Sequence, residues 1–157
     1  FPIQIFFLNS RYKAHRKISQ NPNSAIQDRT IYEDANIFAR NLYESGFMEK
    51  RDYFNYLDLH NEMVSDLTPP DLLIYLQKSL KSLKSNISKR GREYESQIDE
   101  SYLSNLNRYY EDWIEKNYKH KVLVFASDDI DFVLNPSHAE SVSRRIFQEL
   151  EQQELFR

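Results

Sequence analysis

Two short, almost uniformly apolar runs constrain the fold of this chain more than any other feature. The first, Asp71 to Gln77, directly follows the pair Pro69-Pro70, and the second spans Lys121 to Phe125. Such runs are typical of strands in a parallel sheet, whose two faces are both covered. Apolar residues at helical spacing separate the two runs. The sequence therefore predicts βαβ connections and an α/β fold in which helices flank a parallel sheet.

The remaining apolar spacing predicts helices around these strands. These helices cover about residues 1–18, 32–45, 50–67, 79–88, 98–118 and 136–150. Residues 24–27 predict a further short strand after the Asn21-Pro22-Asn23 turn, and Gly46 suits the end of the second helix. The charged segment of residues 89–95 contains Gly91 and predicts a loop. Composition shows no internal boundary, so we expect one domain over residues 1–157.

Composition excludes several classes of protein. The 157 residues carry a net charge of -3 and no cysteine. No overall positive field would recruit nucleic acid or an anionic membrane, so we expect neither as a partner. The lack of cysteine excludes disulfides and thiolate metal sites and is compatible with a reducing cytoplasm. No apolar run approaches the roughly 20 residues of a membrane span. These observations together predict a cytoplasmic protein.

Glycine is scarce, because only Gly46 and Gly91 occur in the whole chain. A phosphate-binding loop of the G-x-x-x-x-G-K-[ST] form needs two glycines close together and ahead of a lysine, and nothing here satisfies that. The chain also begins with Phe1, inside an apolar stretch that reaches Leu8. We therefore expect that its true N-terminus is missing.

The segment Gln27 to Asp34 carries the most informative polar pattern. Asp28 and Arg29 stand side by side at the end of the predicted strand, where open α/β sheets place their ligand chemistry. Phosphoryl transfer needs a carboxylate to hold Mg²⁺ and cations to offset the charge of the migrating group. A surface ion pair or a helix cap would also account for these two residues.

A second cluster, Lys89-Arg90-Gly91-Arg92, places three cations around a glycine. Arginine recognises phosphate oxygens through two parallel hydrogen bonds, and lysine acts as a point charge. A solvated helix end would also favour these cations. Glu93 and Glu95 follow at once, which favours a lid that meets both phosphate and a sugar hydroxyl. The two clusters together indicate an enzyme that handles phosphate.

The first helix offers a third candidate group. Gln4 and Arg11 lie two helical turns apart and share a face. A primary amide presents one donor group and one acceptor group, which matches the edge of a nucleobase. Two polar positions at the margin of a helix would look the same. Phe38, one turn beyond Asp34, is either a core residue or a stacking platform. The four histidines lack metal-ligand spacing and receive no role.

These segments occur in the order and spacing of a known family. The chain resembles the deoxynucleoside kinases, especially the bacterial deoxyadenosine and deoxyguanosine kinases, from Gln4 to about Phe132. The resemblance rests on Gln4 with Arg11 and on the segments 27–34, 70–76, 89–95 and 110–113. It implies a P-loop-kinase-like parallel sheet whose first strand and phosphate loop are missing from this chain.

The resemblance implies a binding site for the nucleoside. Gln4 would pair with the edge of the base, and Phe38 would stack on the base. Arg11 and Asp34 would form the ionic pair that sets base preference. Glu95 would accept a hydrogen bond from the 3'-hydroxyl of the sugar.

The resemblance also implies the catalytic residues. Asp28 would lie near the Mg²⁺ ion, and Arg29 would orient the 5'-oxygen of the sugar and the catalytic acid. Arg90 and Arg92 would belong to a lid at about residues 89–97 that closes over the ATP phosphates. The loop of residues 127–132, which includes Asp128 and Asp129, would contact the adenine of ATP.

Two departures from the family pattern matter. Thr30 replaces the usual serine and keeps the hydroxyl. The phosphate loop and the acidic catalytic residue that the family carries upstream are both missing. A βα start of this kind occupies on the order of 30 residues, so we expect this polypeptide to be inactive by itself. The functional prediction therefore concerns the parent protein.

The predicted reaction transfers the γ-phosphoryl group of ATP, with Mg²⁺, to the 5'-hydroxyl of a purine deoxynucleoside in nucleotide salvage. One alternative is a nucleoside monophosphate kinase of the thymidylate type, although Asp34 would be a poor neighbour for a phosphate on the acceptor. The other is a non-catalytic helical interaction module. The family implies a homodimer, formed through the aromatic helices.

Overall fold

The computed structural model of the protein describes residues 1–95 and 98–154, and these form seven helices and two strands joined by turns. In chain order the elements are α1 (Pro2–Ser19), α2 (Ile31–Glu33), a π-helical segment (Asp34–Ala39), α3 (Arg40–Glu44), α4 (Lys50–Ser65), β1 (Leu73–Gln77), α5 (Leu80–Arg90), a 3₁₀ turn (Glu93–Glu95), α6 (Glu100–Asp112), a second π-helical segment (Trp113–Asn117), β2 (Val122–Ala126) and α7 (Pro136–Glu154).

The chain divides into two compact units. The helical unit comprises Phe1–Thr68 and Asp99–Tyr118, and the sheet unit comprises Pro69–Ile98 and Lys119–Arg157. The single domain expected from the sequence stays a prediction, because two compact units can belong to one domain. Among residues 1–95 and 98–154, no helix is both long and apolar enough to cross a membrane.

The helical unit buries the apolar faces that the sequence predicts. α1 packs against α2, the first π-helical segment and α4, and α6 packs against that π-helical segment and α3. The side chains at its centre are almost fully buried; they include Leu8, Ile31, Ile37, Tyr56 and Tyr109. Helix formation is confirmed in all three predicted segments of residues 1–68, and Gly46 adopts the left-handed conformation just after α3.

A π-helical segment separates α2 from α3, which the apolar spacing did not predict. It spans Asp34–Ala39, so residues 31–44 form one helix with a widened turn in its middle. Such segments insert an extra residue into a helical turn and are frequent at functional sites. The inserted residue changes which side chains beyond Asp34 share a face of the helix.

The sheet unit contains the predicted parallel pair of strands. β1 and β2 pair in parallel from Leu73 with Val122 to Gln77 with Ala126. The α/β class is therefore confirmed. The expectation that β1 is covered on both faces is wrong for the described residues, because Ile74 and Leu76 are 38% and 43% exposed.

Two local predictions are wrong. Residues 24–27 form no strand, and the single large apolar side chain among them, Ile26, is 98% exposed. Residues 89–95 are not one loop, because α5 continues through Lys89 and Arg90 and ends at Gly91 in the left-handed conformation. Two cations in the last turn favour this longer helix, since they stabilise the negative end of its dipole. Residues 96 and 97 of the predicted lid lie outside the described residues.

Candidate active site

The helical unit contains a cavity of about 170 Å³ lined by seven side chains. One face of α1 supplies Gln4, Phe7 and Arg11, which are spaced three and four residues apart and therefore lie one above the other. The other lining residues come from the loop before α2, from the first π-helical segment and from α4; they are Arg29, Asp34, Phe38 and Tyr56. Five of these seven residues are sites predicted from the sequence.

Arg11 and Asp34 form an ion pair across this cavity. The Asp34 side chain is 5% exposed and that of Arg11 is 19% exposed, so water screens the pair poorly. Burial lowers the pKa of Arg11, and the guanidinium of Arg29 lowers it further. Arginine nevertheless stays protonated in proteins. Arg11 therefore keeps its charge. The second carboxylate oxygen of Asp34 has no hydrogen-bond donor among the described residues.

Gln4 brings a second buried acceptor to the cavity. Its Oε1 atom is buried and lacks a donor among the described residues. A buried acceptor without a donor costs roughly 1–3 kcal/mol, so such groups are usually satisfied by a ligand or by water. Two lining side chains, Gln4 and Asp34, therefore each offer an acceptor that a ligand with hydrogen-bond donors would satisfy.

The aromatic walls of the cavity hold the two guanidinium groups. Phe38 is half-buried, and its ring packs edge-on against Tyr110 at 6.5 Å between ring centres. The guanidinium carbon of Arg29 lies 4.8 Å from the centre of the Phe38 ring, and that of Arg11 lies 5.5 Å from the centre of the Phe7 ring. Cations at this distance are attracted by the face of an aromatic ring.

Arg29 has an unusual backbone conformation, with a φ of 60°. For a residue with a side chain, this left-handed conformation costs of order 1 kcal/mol and persists only where neighbouring contacts enforce it. The residue that follows, Thr30, is the N-cap of α2. The Thr30 hydroxyl accepts a hydrogen bond from the backbone amide of Tyr32. The backbone amide and the hydroxyl of Thr30 both donate to the carboxylate of Glu33. Thr30 and Glu33 thus form a capping box.

Asp28, the predicted metal ligand, is exposed and is not among the residues that line the cavity. Within residues 1–95 and 98–154, no group of three or more histidine, cysteine or acidic side chains could hold a metal ion. Mg²⁺ in kinase sites usually keeps several waters and binds one or two carboxylates together with substrate phosphates. A single accessible carboxylate such as Asp28 fits that requirement.

The predicted lid residues lie in the sheet unit and form their own cluster. Glu95 is buried and accepts from the Arg90 guanidinium at 2.9 Å, and Arg92 lies 3.4 Å from the other Glu95 oxygen. About half of each arginine side chain remains exposed. The structure therefore brings Arg90, Arg92 and Glu95 together, and it pairs the predicted phosphate ligands with the predicted sugar ligand.

Asp128 and Asp129, which were predicted to contact ATP, lie in the turn that follows β2 and are both exposed. The Asp128 carboxylate accepts from the backbone amide of Ser79, the N-cap of α5, at 2.8 Å. This hydrogen bond, helped by others from Ser82 and Ser79, lowers the pKa of Asp128. Asp128 thus ties the end of β2 to the start of α5.

Sequence reasoning missed two lining residues and the capping box. In sequence, Tyr56 looks like a core residue of α4, and nothing indicates a cavity beside it. The structure shows that it is only 1% exposed. Phe7 lies on the same face of α1 as Gln4 and Arg11, and that spacing could have identified it. The capping box has a recognisable sequence pattern, because Thr30 is followed three residues later by Glu33.

Comparisons with known proteins agree with this fold. A family model described as deoxynucleoside kinase matches residues 1–151. The deoxyadenosine/deoxycytidine kinase of Bacillus subtilis (strain 168) is 37% identical over 150 residues, which cover 93% of this chain and 68% of that protein. The deoxyguanosine kinase of Lactobacillus johnsonii is 31% identical, with 99% of this chain and 73% of that protein covered.

A solved structure gives the same result for the fold. The structure of deoxyadenosine kinase from M. mycoides with bound dATP superposes with a TM-score of 0.77 at 32% identity. The superposition covers 93% of this chain and 73% of that chain. Fold and sequence together define a phosphotransferase of the nucleoside-kinase class. The chain belongs to the deoxynucleoside kinase family, which confirms the family predicted from the sequence.

Proposed function

We propose that the protein transfers the γ-phosphoryl group of ATP to the 5'-hydroxyl of a purine deoxynucleoside. The observation that carries this proposal is the cavity of the helical unit. It combines an ion pair, an aromatic wall and two unsatisfied acceptors, on Gln4 and Asp34, in a space of about 170 Å³. Ligand sites typically have this composition, with apolar walls and a few polar groups that fix orientation.

The two acceptors favour a base with an exocyclic amino group. The carboxamide of Gln4 could accept from the amino group of adenine and donate to its adjacent ring nitrogen, which is the pairing that amides make with adenine edges. Guanine also presents a ring N–H beside a carbonyl, which suits the same amide in its flipped orientation. The Arg11–Asp34 pair adds a fixed donor and acceptor beside Gln4. We propose a purine as the preferred base, as the resemblance to bacterial deoxyadenosine and deoxyguanosine kinases implies.

Arg29 would act on the phosphoryl group. Its guanidinium lies at the aromatic wall of the cavity, 4.8 Å from the centre of the Phe38 ring. A guanidinium placed beside the 5'-hydroxyl would neutralise negative charge that develops on the transferring group. Asp28, on the neighbouring exposed position, would hold Mg²⁺, which supplies further charge neutralisation when it is bound.

The lid cluster suggests how ATP would engage the sheet unit. Arg90 and Arg92 pair with Glu95 in this structure. Phosphate oxygens would compete with that carboxylate for both guanidinium groups, because arginine binds phosphate through paired, charge-assisted hydrogen bonds. The exchange would leave Glu95 able to accept from the 3'-hydroxyl of the sugar. The turn that holds Asp128 and Asp129 would contact the adenine of ATP.

The assembly and location that we propose follow the family. Large side chains are exposed on two helices of the helical unit, with Phe54 47% exposed on α4 and Tyr102 40% exposed on α6. We propose that such aromatic faces form a homodimer, and the mass of the full-length protein in solution, from light scattering, tests this part. The chain contains no cysteine and therefore needs no disulfide, which is compatible with a reducing compartment. We propose that the protein works in the cytoplasm.

The proposal is tested by turnover of the full-length protein with ATP and Mg²⁺. Deoxyadenosine and deoxyguanosine should be phosphorylated, and deoxythymidine monophosphate should not. Changing Arg29 to Ala should lower kcat at least about 100-fold, because a charge-stabilising donor is lost in the transition state. Changing Arg51, whose side chain is 79% exposed on α4, to Ala is the matched control and should leave kcat unchanged.

Three results would contradict this account. Phosphorylation of the monophosphate in place of the nucleosides would favour the thymidylate-kinase alternative. Absence of any turnover would favour the non-catalytic module. Unchanged turnover of the Arg29→Ala variant would remove Arg29 from the mechanism. Circular dichroism of both arginine variants shows whether a loss of activity is a loss of folding.

A further inference from the structure

Glu33 is a buried carboxylate that the proposed reaction does not use. Glu33 is only 7% exposed, and it does not line the cavity. Burying a charge is costly unless hydrogen bonds compensate it. One oxygen of Glu33 accepts from both the amide and the hydroxyl of Thr30, with the amide at 2.7 Å. The carboxylate therefore has a definite structural partner, the residue that directly follows Arg29.

The peptide group between Arg29 and Thr30 is held from both sides. Its N–H, which belongs to Thr30, donates to Glu33 at 2.7 Å. Its carbonyl, which belongs to Arg29, accepts from the side-chain amide of Gln27 at 2.9 Å. Because a peptide group is planar, fixing both of its polar ends fixes the rotation of the backbone on the C-terminal side of Arg29.

This restraint matters because Arg29 has the left-handed φ of 60°. The hydrogen bonds of this peptide group restrain ψ of Arg29, and steric clashes couple ψ to φ. Released from them, a residue with a side chain favours negative φ, and its side chain then points in another direction. In the restrained conformation the guanidinium lies 4.8 Å from the centre of the Phe38 ring, at the wall of the cavity. The position of the guanidinium thus depends on the hydrogen bonds of a peptide group that Glu33 holds.

We propose that Glu33 is a positioning residue for Arg29. This inference rests on the proposed function, because it assigns Glu33 a role only through a catalytic Arg29. Glu33 keeps the backbone of Arg29 in the left-handed conformation and so keeps the guanidinium at the cavity. A glutamate that merely capped α2 would affect stability, and it would have no special relation to Arg29.

The test is a double-mutant cycle in the full-length protein with ATP, Mg²⁺ and deoxyadenosine. The change Glu33→Ala should lower kcat by about tenfold or more, since small misplacements of catalytic groups have effects of this size. The KM for deoxyadenosine should change by less than about threefold, because Arg29 is assigned to the transition state. In the Arg29→Ala background, Glu33→Ala should lower kcat by less than about twofold, since the two residues act as a unit.

Two conservative variants and one control complete the design. Glu33→Gln retains one acceptor and should restore part of kcat, and Thr30→Ser retains the hydroxyl and should keep nearly all of it. Glu62→Gln, at an exposed position of α4, should leave kcat unchanged. If Glu33→Ala does not fold, Glu33→Gln takes its place in the cycle.

The outcomes separate this inference from the proposed function. Independent, multiplying effects of the Glu33 and Arg29 changes would overturn the inference and leave Glu33 a structural cap. A fall in kcat for Arg29→Ala without any for Glu33→Ala would overturn the inference alone. No turnover by the unaltered protein, or full turnover by Arg29→Ala, would overturn the proposed function and with it the role of Glu33.

Discussion

His60 is a buried histidine whose ring reaches from α4 to the first turn of α2. Only 5% of the residue is exposed, and Nε2 lies 3.2 Å from the carbonyl oxygen of Ile31. Burial lowers the pKa of His60, and hydrogen bonds to Asn61 and to the Ile31 carbonyl offset part of that effect. The neutral ring, with its proton on Nε2, can donate to this carbonyl. His60 thus supports the same helix start that positions Arg29.

The lowered pKa makes the stability of the protein depend on pH. A histidine in the unfolded chain binds its proton near pH 6.5, whereas the folded protein resists protonating His60. As the pH falls below about 6.5, the unfolded state therefore binds more protons, and the free energy of unfolding decreases. Replacing His60 with Gln, which can still donate to the Ile31 carbonyl, should remove this part of the decrease.

Urea denaturation at about pH 7 and about pH 5 measures the effect. The unaltered protein should lose more free energy of unfolding between these values than the His60→Gln variant does. The same change at the exposed His120 is the control and should leave the loss as large as in the unaltered protein. An equal loss in the His60→Gln variant would contradict the account.

At the scale of elements, α3 and α6 are joined by a partly buried hydrogen bond. The Tyr109 hydroxyl donates to Glu44 at 2.6 Å, and Tyr109 is only 1% exposed. This bond, together with the one from Arg40, lowers the pKa of Glu44. Tyr109→Phe should therefore lower the free energy of unfolding by about 0.5–1.5 kcal/mol, which is typical of one net hydrogen bond.

The pH dependence of this effect provides a second measurement. A carboxylate with a lowered pKa stabilises the folded state above its unfolded pKa, near 4.3, and that stabilisation is lost as the pH falls. The difference between the Tyr109→Phe variant and the unaltered protein should therefore shrink from about pH 7 to about pH 3. Ser104→Ala, which removes a hydroxyl at an exposed position of α6, is the control and should change stability little. A Tyr109→Phe variant as stable as the unaltered protein at both pH values would show that the bond contributes nothing.

The elements also show what local sequence can and cannot predict. Helices were predicted because burial imposes a period on apolar residues, and that period is visible in sequence. The β1–β2 pair was predicted from two short, almost uniformly apolar runs. The strand at residues 24–27 was wrong because one exposed isoleucine, Ile26, carries no period. The π-helical segment was missed because apolar spacing does not reveal an inserted residue.

The candidate site likewise contains residues that the sequence predicted and residues that it did not. Gln4, Arg11, Asp34 and Phe38 were predicted from a family resemblance, and the structure lines one cavity with all four. Their roles toward a substrate stay predictions. Tyr56 was missed because the residues that it meets in the cavity come from other parts of the fold. Glu33 was missed because its role depends on a hydrogen bond to the backbone of Thr30. The left-handed conformation of Arg29 likewise has no signal in residue type, since glycine is the usual residue there.

At the scale of the whole molecule, our proposal assigns base recognition to the helical unit and binding of the ATP phosphates to the lid residues of the sheet unit. The residues proposed for the base all belong to the helical unit, and Arg90, Arg92 and Glu95 belong to the sheet unit. Asp28 and Arg29, to which we assign catalytic roles, also belong to the helical unit. The cavity must therefore select the nucleoside through groups that the helical unit supplies. This is the central claim of the account.

A crystal structure of the full-length protein with deoxyadenosine tests that claim most directly. We expect the adenine inside the cavity, with its amino group about 2.7–3.2 Å from the Oε1 atom of Gln4 and its ring against Phe38. The Arg11–Asp34 pair should lie beside the base. Adenine bound outside this cavity, or inside it without any contact to Gln4 and the ion pair, would contradict the account.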